Sequence, residues 1–263
     1  MPMIPRTIIA TRYVTPLREG GSLPAIVEGD DDGLYVLKFR GAGQGAKALI
    51  AELVVGKLAQ ALDLPVPEIV FVDVDANLGR SEPDSEIQAL VQASAGLNLA
   101  LDYLPGSLSY DPLRRPPPDP ELASAIVWFD AYTTNVDRTA RNTNILIWHR
   151  RLWLIDHGAA LYVHHTWGDY LARSRTPFAA IKDHVLLPYA SALAAADADL
   201  RVRLTPDLVQ HIVALIPDTW LSAEPGFADA NAQRAAYAAY LLTRLEHPRL
   251  FVQEAIDAHT RLL

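Results

Sequence analysis

The chain has 263 residues, a net charge of −8 at pH 7, half of its residues apolar and no cysteine. The lack of cysteine excludes disulfide frameworks, thiolate zinc sites and a cysteine nucleophile, and it fits the reducing cytoplasm. An acidic balance without a basic run argues against a nucleic-acid partner, and no segment has the uninterrupted apolar length of a membrane span.

Near the N-terminus, Glu19-Gly20-Gly21-Ser22-Leu23-Pro24 reads as a turn. The first regular element with chemistry in it is a strand at Tyr35-Val36-Leu37-Lys38-Phe39, where Tyr35, Leu37 and Phe39 share one face and Lys38 projects from the other. Gly41-Ala42-Gly43-Gln44-Gly45-Ala46 follows and opens a helix from Ala46 to Leu62 with an apolar stripe of Ile50, Val54, Leu58 and Ala61. Glu52 sits on that helix among Ala48, Val55, Gly56 and Ala59. Pro65 and Pro67 end the helix, and Glu68 to Val74 is β-branched and strand-like. Tyr103 and Leu104, before Pro105-Gly106, are candidate hinge residues whose backbone would meet an adenine ring. Five prolines between Asp111 and Pro120 forbid regular structure there, as they remove donors and fix φ. Glu121 to Tyr132 reads as a helix. Beyond residue 175 the chain is rich in Ala and Leu at helical spacing, with a start signal at Thr205-Pro206-Asp207.

The densest chemistry lies between these halves. Asn135-Val136-Asp137-Arg138-Thr139-Ala140-Arg141-Asn142-Thr143-Asn144 is a polar loop, and Ile145 to Trp148 and Leu152 to Ile155 are two apolar runs flanking His149-Arg150-Arg151. Such runs form a hairpin. With a three-residue connection Trp148 pairs with Leu152, which sets Asp156 opposite Asn144 and close to Asn142 and Asp137. Two carboxylates and an amide oxygen at one place suit a magnesium-assisted phosphoryl transfer: oxygen ligands from Asn142 and Asp156 for the ion, and Asp137 to orient the attacking hydroxyl and accept its proton. The interval from Asp137 to Asn142 and the following Asp156-His157-Gly158 match the spacing of kinase catalytic loops. Such chemistry also needs a strand lysine on the α- and β-phosphates of ATP, paired with a helical glutamate, and Lys38 with Glu52 stands in that order. Gly20, Gly21 and Ser22 then become the candidate phosphate cover. A rival reading takes Gly41 to Ala46 as a G-x-G-x-x-A dinucleotide fingerprint of an NAD(P)-dependent oxidoreductase. Against it stand a central lysine in the preceding strand and candidate ribose carboxylates, Asp73 and Asp75, that come too late.

These residues together resemble the HipA-like kinases over about residues 15 to 165. The resemblance is carried by Tyr-Val-Leu-Lys38-Phe, the Glu52 helix, Leu64-Pro65-Val66-Pro67, Asn135-Val136-Asp137-Arg138 with Asn142, and Ile155-Asp156-His157-Gly158. Type II phosphatidylinositol 4-kinases show similar Asp-Arg and Ile-Asp-x-Gly signatures. The resemblance implies an α+β, bilobal protein-kinase-like fold, an ATP and magnesium site in the cleft, and transfer to a serine or threonine hydroxyl of a protein. The lobes are expected at residues 1–103 and 104–263, the first strand-rich and the second helical. The chain departs from eukaryotic kinases in having no His-Arg-Asp before the catalytic carboxylate, no Phe in Asp-x-Gly and no regular G-x-G-x-x-G loop. A nucleotide-binding regulator without transfer activity is the third reading.

Overall fold

Residues 4–17, 23–80, 82–221 and 224–262 are described by the computed structural model of the chain, apart from the side chains of residues 248 and 249. Five strands close into a small barrel: β1 (Thr7–Pro16), β2 (Ala25–Gly29), β3 (Leu34–Lys38), β4 (Ile69–Val74) and β5 (Gly96–Asp102), in the order β1-β2-β3-β5-β4. All neighbours are antiparallel except β1 and β4, whose parallel pairing closes the ring. The alternation of side chains sorts β4 cleanly. Val70, Val72 and Val74 fill the barrel interior with Val27, Leu37 and Ala100, whereas Ile69 and Phe71 point outward into the main core. The strand is apolar on both faces from Ile69 to Val72, where both are covered, and turns polar at Asp73, where the outward face is exposed. Helix α2 (Ser85–Ala93), capped by the Asp84 side chain, plugs the barrel with Ile87 and Val91.

Helix α1 (Ala46–Ala61) lies between the barrel and the helical half of the chain. Every residue from Leu49 to Ala59 is buried, which is why the apolar stripe anticipated at Ile50, Val54 and Leu58 extends around the whole helix. Its two ends are tied to the C-terminal half: Lys47 pairs with Glu224 at 2.5 Å, and Asp63, just past the helix, with Arg203 at 2.6 Å. Trp220 adds an indole donor to the Leu97 carbonyl at 3.0 Å and an edge contact to Phe71.

A second sheet joins β6 (Leu108–Ser109), β7 (Ile145–Trp148) and β8 (Arg151–Leu154). Its hairpin turns on two residues, with Trp148 opposite Arg151, instead of the three-residue connection that the polar stretch suggested. His149 and Arg150 both take positive φ, 47° and 65°. Two such residues in sequence are what a tight hairpin turn demands, normally of Asn-Gly. The edge contact of Trp148 on Trp153 packs the flanking strands against each other. The remainder is helical: α3 (Pro120–Thr133), α4 (Tyr170–Ser174), α5 (Leu193–Arg203), α6 (Pro206–Val213), α7 (Ala230–Glu246) and α8 (Pro248–Thr260). Helix α3 starts as its sequence asks, with Asp119 capping the Leu122 N–H and Pro120 at the first position, and it is buried along most of its length. Helix α6 begins at the Thr205 cap. No helix among the described residues is long and apolar enough to cross a membrane.

Candidate active site

Lys38 ends β3 and points away from the barrel interior that takes Tyr35 and Leu37. Its ammonium donates to Glu52 Oε2 at 2.6 Å and to Asp156 Oδ1 at 2.5 Å. Glu52 is completely buried in α1, and a lone carboxylate there would be costly. It accepts two further bonds from the segment after β8: the His157 N–H reaches Oε2 at 2.8 Å, and His157 Nδ1 lies 3.3 Å from Oε1. Burial pushes the Glu52 carboxyl up, but the Lys38 charge and His157 more than offset this and hold it at about 2. For Lys38, burial lowers the pKa while Glu52 and Asp156 raise it further, so the ammonium stays charged.

Asp156 arrives by the hairpin. The ladder continues past β8, with the Ile155 N–H on the Asn144 carbonyl at 3.1 Å, so Asp156 falls opposite Thr143, one residue from the expected partner. Asp156 itself takes φ +55°, in the left-handed region that Asp tolerates better than most non-glycine residues. On the loop, Asp137 Oδ2 accepts the side-chain amides of Asn142 at 2.7 Å and Asn144 at 3.2 Å. Both amide nitrogens are thereby engaged, and the oxygen of each Asn side chain is left for another partner. Asn144 carried no site role in the sequence reading; its place two residues after Asn142, at the start of the apolar run, is the signal that marks it.

Lys38, Asp156, Asn142 and Asn144 line a cleft of about 1040 Å³ whose apolar part is built by Val36, Leu101, Leu104, Ile145 and Ile155. Tyr103 and Leu104 border it, and the Tyr103 N–H is already spent on the Leu34 carbonyl at 2.9 Å. Leu104 is therefore the one of the pair with a backbone donor to offer. Gly20, Gly21 and Ser22 lie outside the described residues. The residues that flank their segment, Leu17 and Pro24, are bonded to each other at 2.7 Å and line the cleft.

The glycines from Gly41 to Gly45 do not form a dinucleotide site. The strand before them pairs antiparallel on both sides, in contrast to the parallel βαβ unit a fingerprint requires. They make a turn into α1, where Gly45 takes φ +65° at the N-cap.

A barrel-and-helix fold around a lysine, a helical glutamate and an Asp-x-Gly segment defines a protein-kinase-like phosphotransferase. The model of the HipA-like kinase family matches residues 10–253, and the chain belongs to that family. Among solved structures, the Helicobacter pylori proinflammatory kinase CtkA is similar with a TM-score of 0.55 at 13% identity, the match covering 97% of this chain and 98% of that one. The Golgi casein kinase, in a structure with Mn and ADP bound, gives a TM-score of 0.47 at 12% identity over 96% of this chain and 74% of that one. No curated protein matches the chain by sequence.

Proposed function

We propose that this kinase transfers the terminal phosphoryl group of ATP, with magnesium, to a serine or threonine hydroxyl of a protein. The observation that carries the reading is a single cleft lined by Lys38 and Asp156, the first of them paired with the buried Glu52, and by Asn142, whose side-chain amide donates to Asp137. Lys38 grips the α- and β-phosphates and is held for that task by Glu52. The apolar lining beside Leu104 takes the adenine, and residues 1–103 and 104–263 supply the two walls.

The donor set suits a hard cation. Asp156 Oδ2 has no partner among the described residues, and neither do the amide oxygens of Asn142 and Asn144, which line the same cleft. Magnesium takes one or two protein ligands and completes its shell with phosphates and water, and Asp156 with Asn142 would supply the protein's share. Bound there, the ion would neutralise charge on the transferring phosphoryl group. Asp137 does the protein's own share of the chemistry: it orients the acceptor hydroxyl and takes its proton as the oxygen attacks.

Incubation with labelled ATP and magnesium tests the reading, with the Asp137→Asn variant alongside. Incorporation of label by the parent and its loss in the variant are expected. Tight ATP binding without any transfer would overturn it in favour of a nucleotide-binding regulator.

A further inference from the structure

Beneath Asp137 lies a buried polar cluster to which the phosphoryl-transfer roles give no task. Its centre is Asp130, fully buried in the last turn of α3, an end of a helix that already disfavours negative charge. Asp130 Oδ2 accepts from Arg138 Nε at 2.6 Å and from His184 Nε2 at 2.9 Å, while Oδ1 accepts from the Asn135 side chain at 3.1 Å. His184 Nδ1 in turn accepts the Leu186 N–H at 3.0 Å. That bond places the ring proton on Nε2 and makes His184 a neutral donor to Asp130.

Arg138 is buried as well, and its Nη1 donates to two carbonyls, those of Asn144 and of Ile155. These two residues face each other across the ladder: one closes the Asn142-to-Asn144 stretch, and the other immediately precedes Asp156. A single guanidinium thus holds both strands at the point where they deliver the oxygen ligands, and its own backbone is joined to Asp137. Net stability does not account for such a cluster, because apolar residues of similar volume serve the fold as well as a buried ion pair. The second terminal nitrogen of Arg138 is buried without a partner among the described residues, which stability alone would select against. Apolar side chains cannot aim donors at two carbonyls while holding a third residue in register.

We infer that Arg138, held by Asp130 and His184, is a positioning residue that fixes the separation between Asp137 and the Asn142–Asp156 ligand set. The inference rests on the reading of those groups as the transfer site. A planar fork meets this demand and a lysine does not, since an ammonium is a point donor on a flexible stem.

The test compares the parent with Arg138→Lys, His184→Ala, His184→Gln and Asp137→Asn in melting temperature, affinity for magnesium ATP, and turnover read as phosphate released or incorporated from labelled ATP. Arg138→Lys should bind nucleotide like the parent and turn over roughly ten- to a hundredfold more slowly, the scale of a misplaced catalytic group. His184→Ala should show the same split. His184→Gln, which can return a donor to Asp130, should recover most of the rate. Parent-like turnover in a folded Arg138→Lys or His184→Ala, with Asp137→Asn inactive, would overturn the positioning role and leave the transfer site standing. Equal turnover in the parent and Asp137→Asn would remove the site reading and the inference with it. If Arg138→Lys does not fold, the two His184 variants decide the matter: losses that Gln fails to rescue, accompanied by an equal loss of nucleotide affinity, would mark the cluster as structural and overturn the inference.

Discussion

Replacing Lys38 with Met removes the cation shared by Glu52 and Asp156, and the two consequences can be measured separately. The first is on folding. Glu52 is left as a buried carboxylate with the His157 N–H and imidazole as its partners among the described residues. Removing one member of a buried ion pair typically costs about 3 to 5 kcal/mol, and the two remaining donors place this case at the lower end. For a chain of this size, 3 kcal/mol lowers the melting temperature by about 6 to 12 °C. The second consequence is on nucleotide binding, where loss of one charge-assisted contact of about 1.5 to 3 kcal/mol weakens ATP roughly ten- to a hundredfold. Adding Glu52→Gln to Lys38→Met separates the two. The amide no longer carries a buried charge yet still accepts from His157, so the double variant should regain most of the lost melting temperature and none of the lost affinity. Calorimetry for stability and equilibrium titration with ATP for binding decide the matter. A Lys38→Met protein that melts like the parent would contradict the buried pair, and a folded one that binds ATP like the parent would remove Lys38 from the phosphate site.

Asp156→Ala and, to a smaller extent, Asn142→Ala should abolish the tightening of ATP binding by magnesium while the fold survives, since Lys38 keeps Glu52 as its partner; a titration in which magnesium still sharpens binding to Asp156→Ala would refute the ligand assignment. Asp137→Asn keeps an oxygen for the Asn142 and Asn144 amides, so affinity should hold while transfer falls by about a hundred- to ten-thousandfold, and an unchanged transfer rate would end the case for Asp137. Acid should destabilise the protein through Glu52, whose carboxyl sits near 4.5 when exposed and at about 2 when folded. As the pH falls the unfolded chain takes the proton first, so this contribution is complete above pH 4.5 and is lost toward pH 2; it is worth about 3 kcal/mol. Urea melts across that range should show a shallower acid limb in Glu52→Gln, and limbs of equal steepness would refute the linkage.

Charged residues stranded in apolar surroundings were the most legible feature of the sequence. Lys38 and Glu52 each needed a partner, and the structure brings them together at 2.6 Å. Asp130 sits in a similar setting, between Phe129 and Ala131 in a buried helix, yet its partners come from the loop and from His184, more than fifty positions on, and nothing local announces them. The hairpin that returns Asp156 to Asn142 was readable from two apolar runs. Its register was displaced by one residue because His149-Arg150 adopts a tight turn without the Asn or Gly that signals one. The barrel was not readable at all. Its closure depends on the parallel pairing of β1 with β4, and strands so distant in sequence leave no periodic trace of which edge meets which.

The burial of α1 on every side bears on how this kinase can be silenced. A helix that carries the glutamate partner of the phosphate lysine serves as a lever in proteins where it rests on one surface and can swing away from it. Here it is fastened at one end by Lys47 to Glu224 and at the other by Asp63 to Arg203. Swinging it out would expose Leu49, Leu53 and Leu58, now at most 1% exposed. Wetting those three side chains alone costs about 5 to 9 kcal/mol, which leaves fewer than about one molecule in a thousand in that state. Unaided displacement of α1 is therefore a rare state of this fold, and a partner that silenced the kinase through α1 would have to cover the apolar face it uncovers.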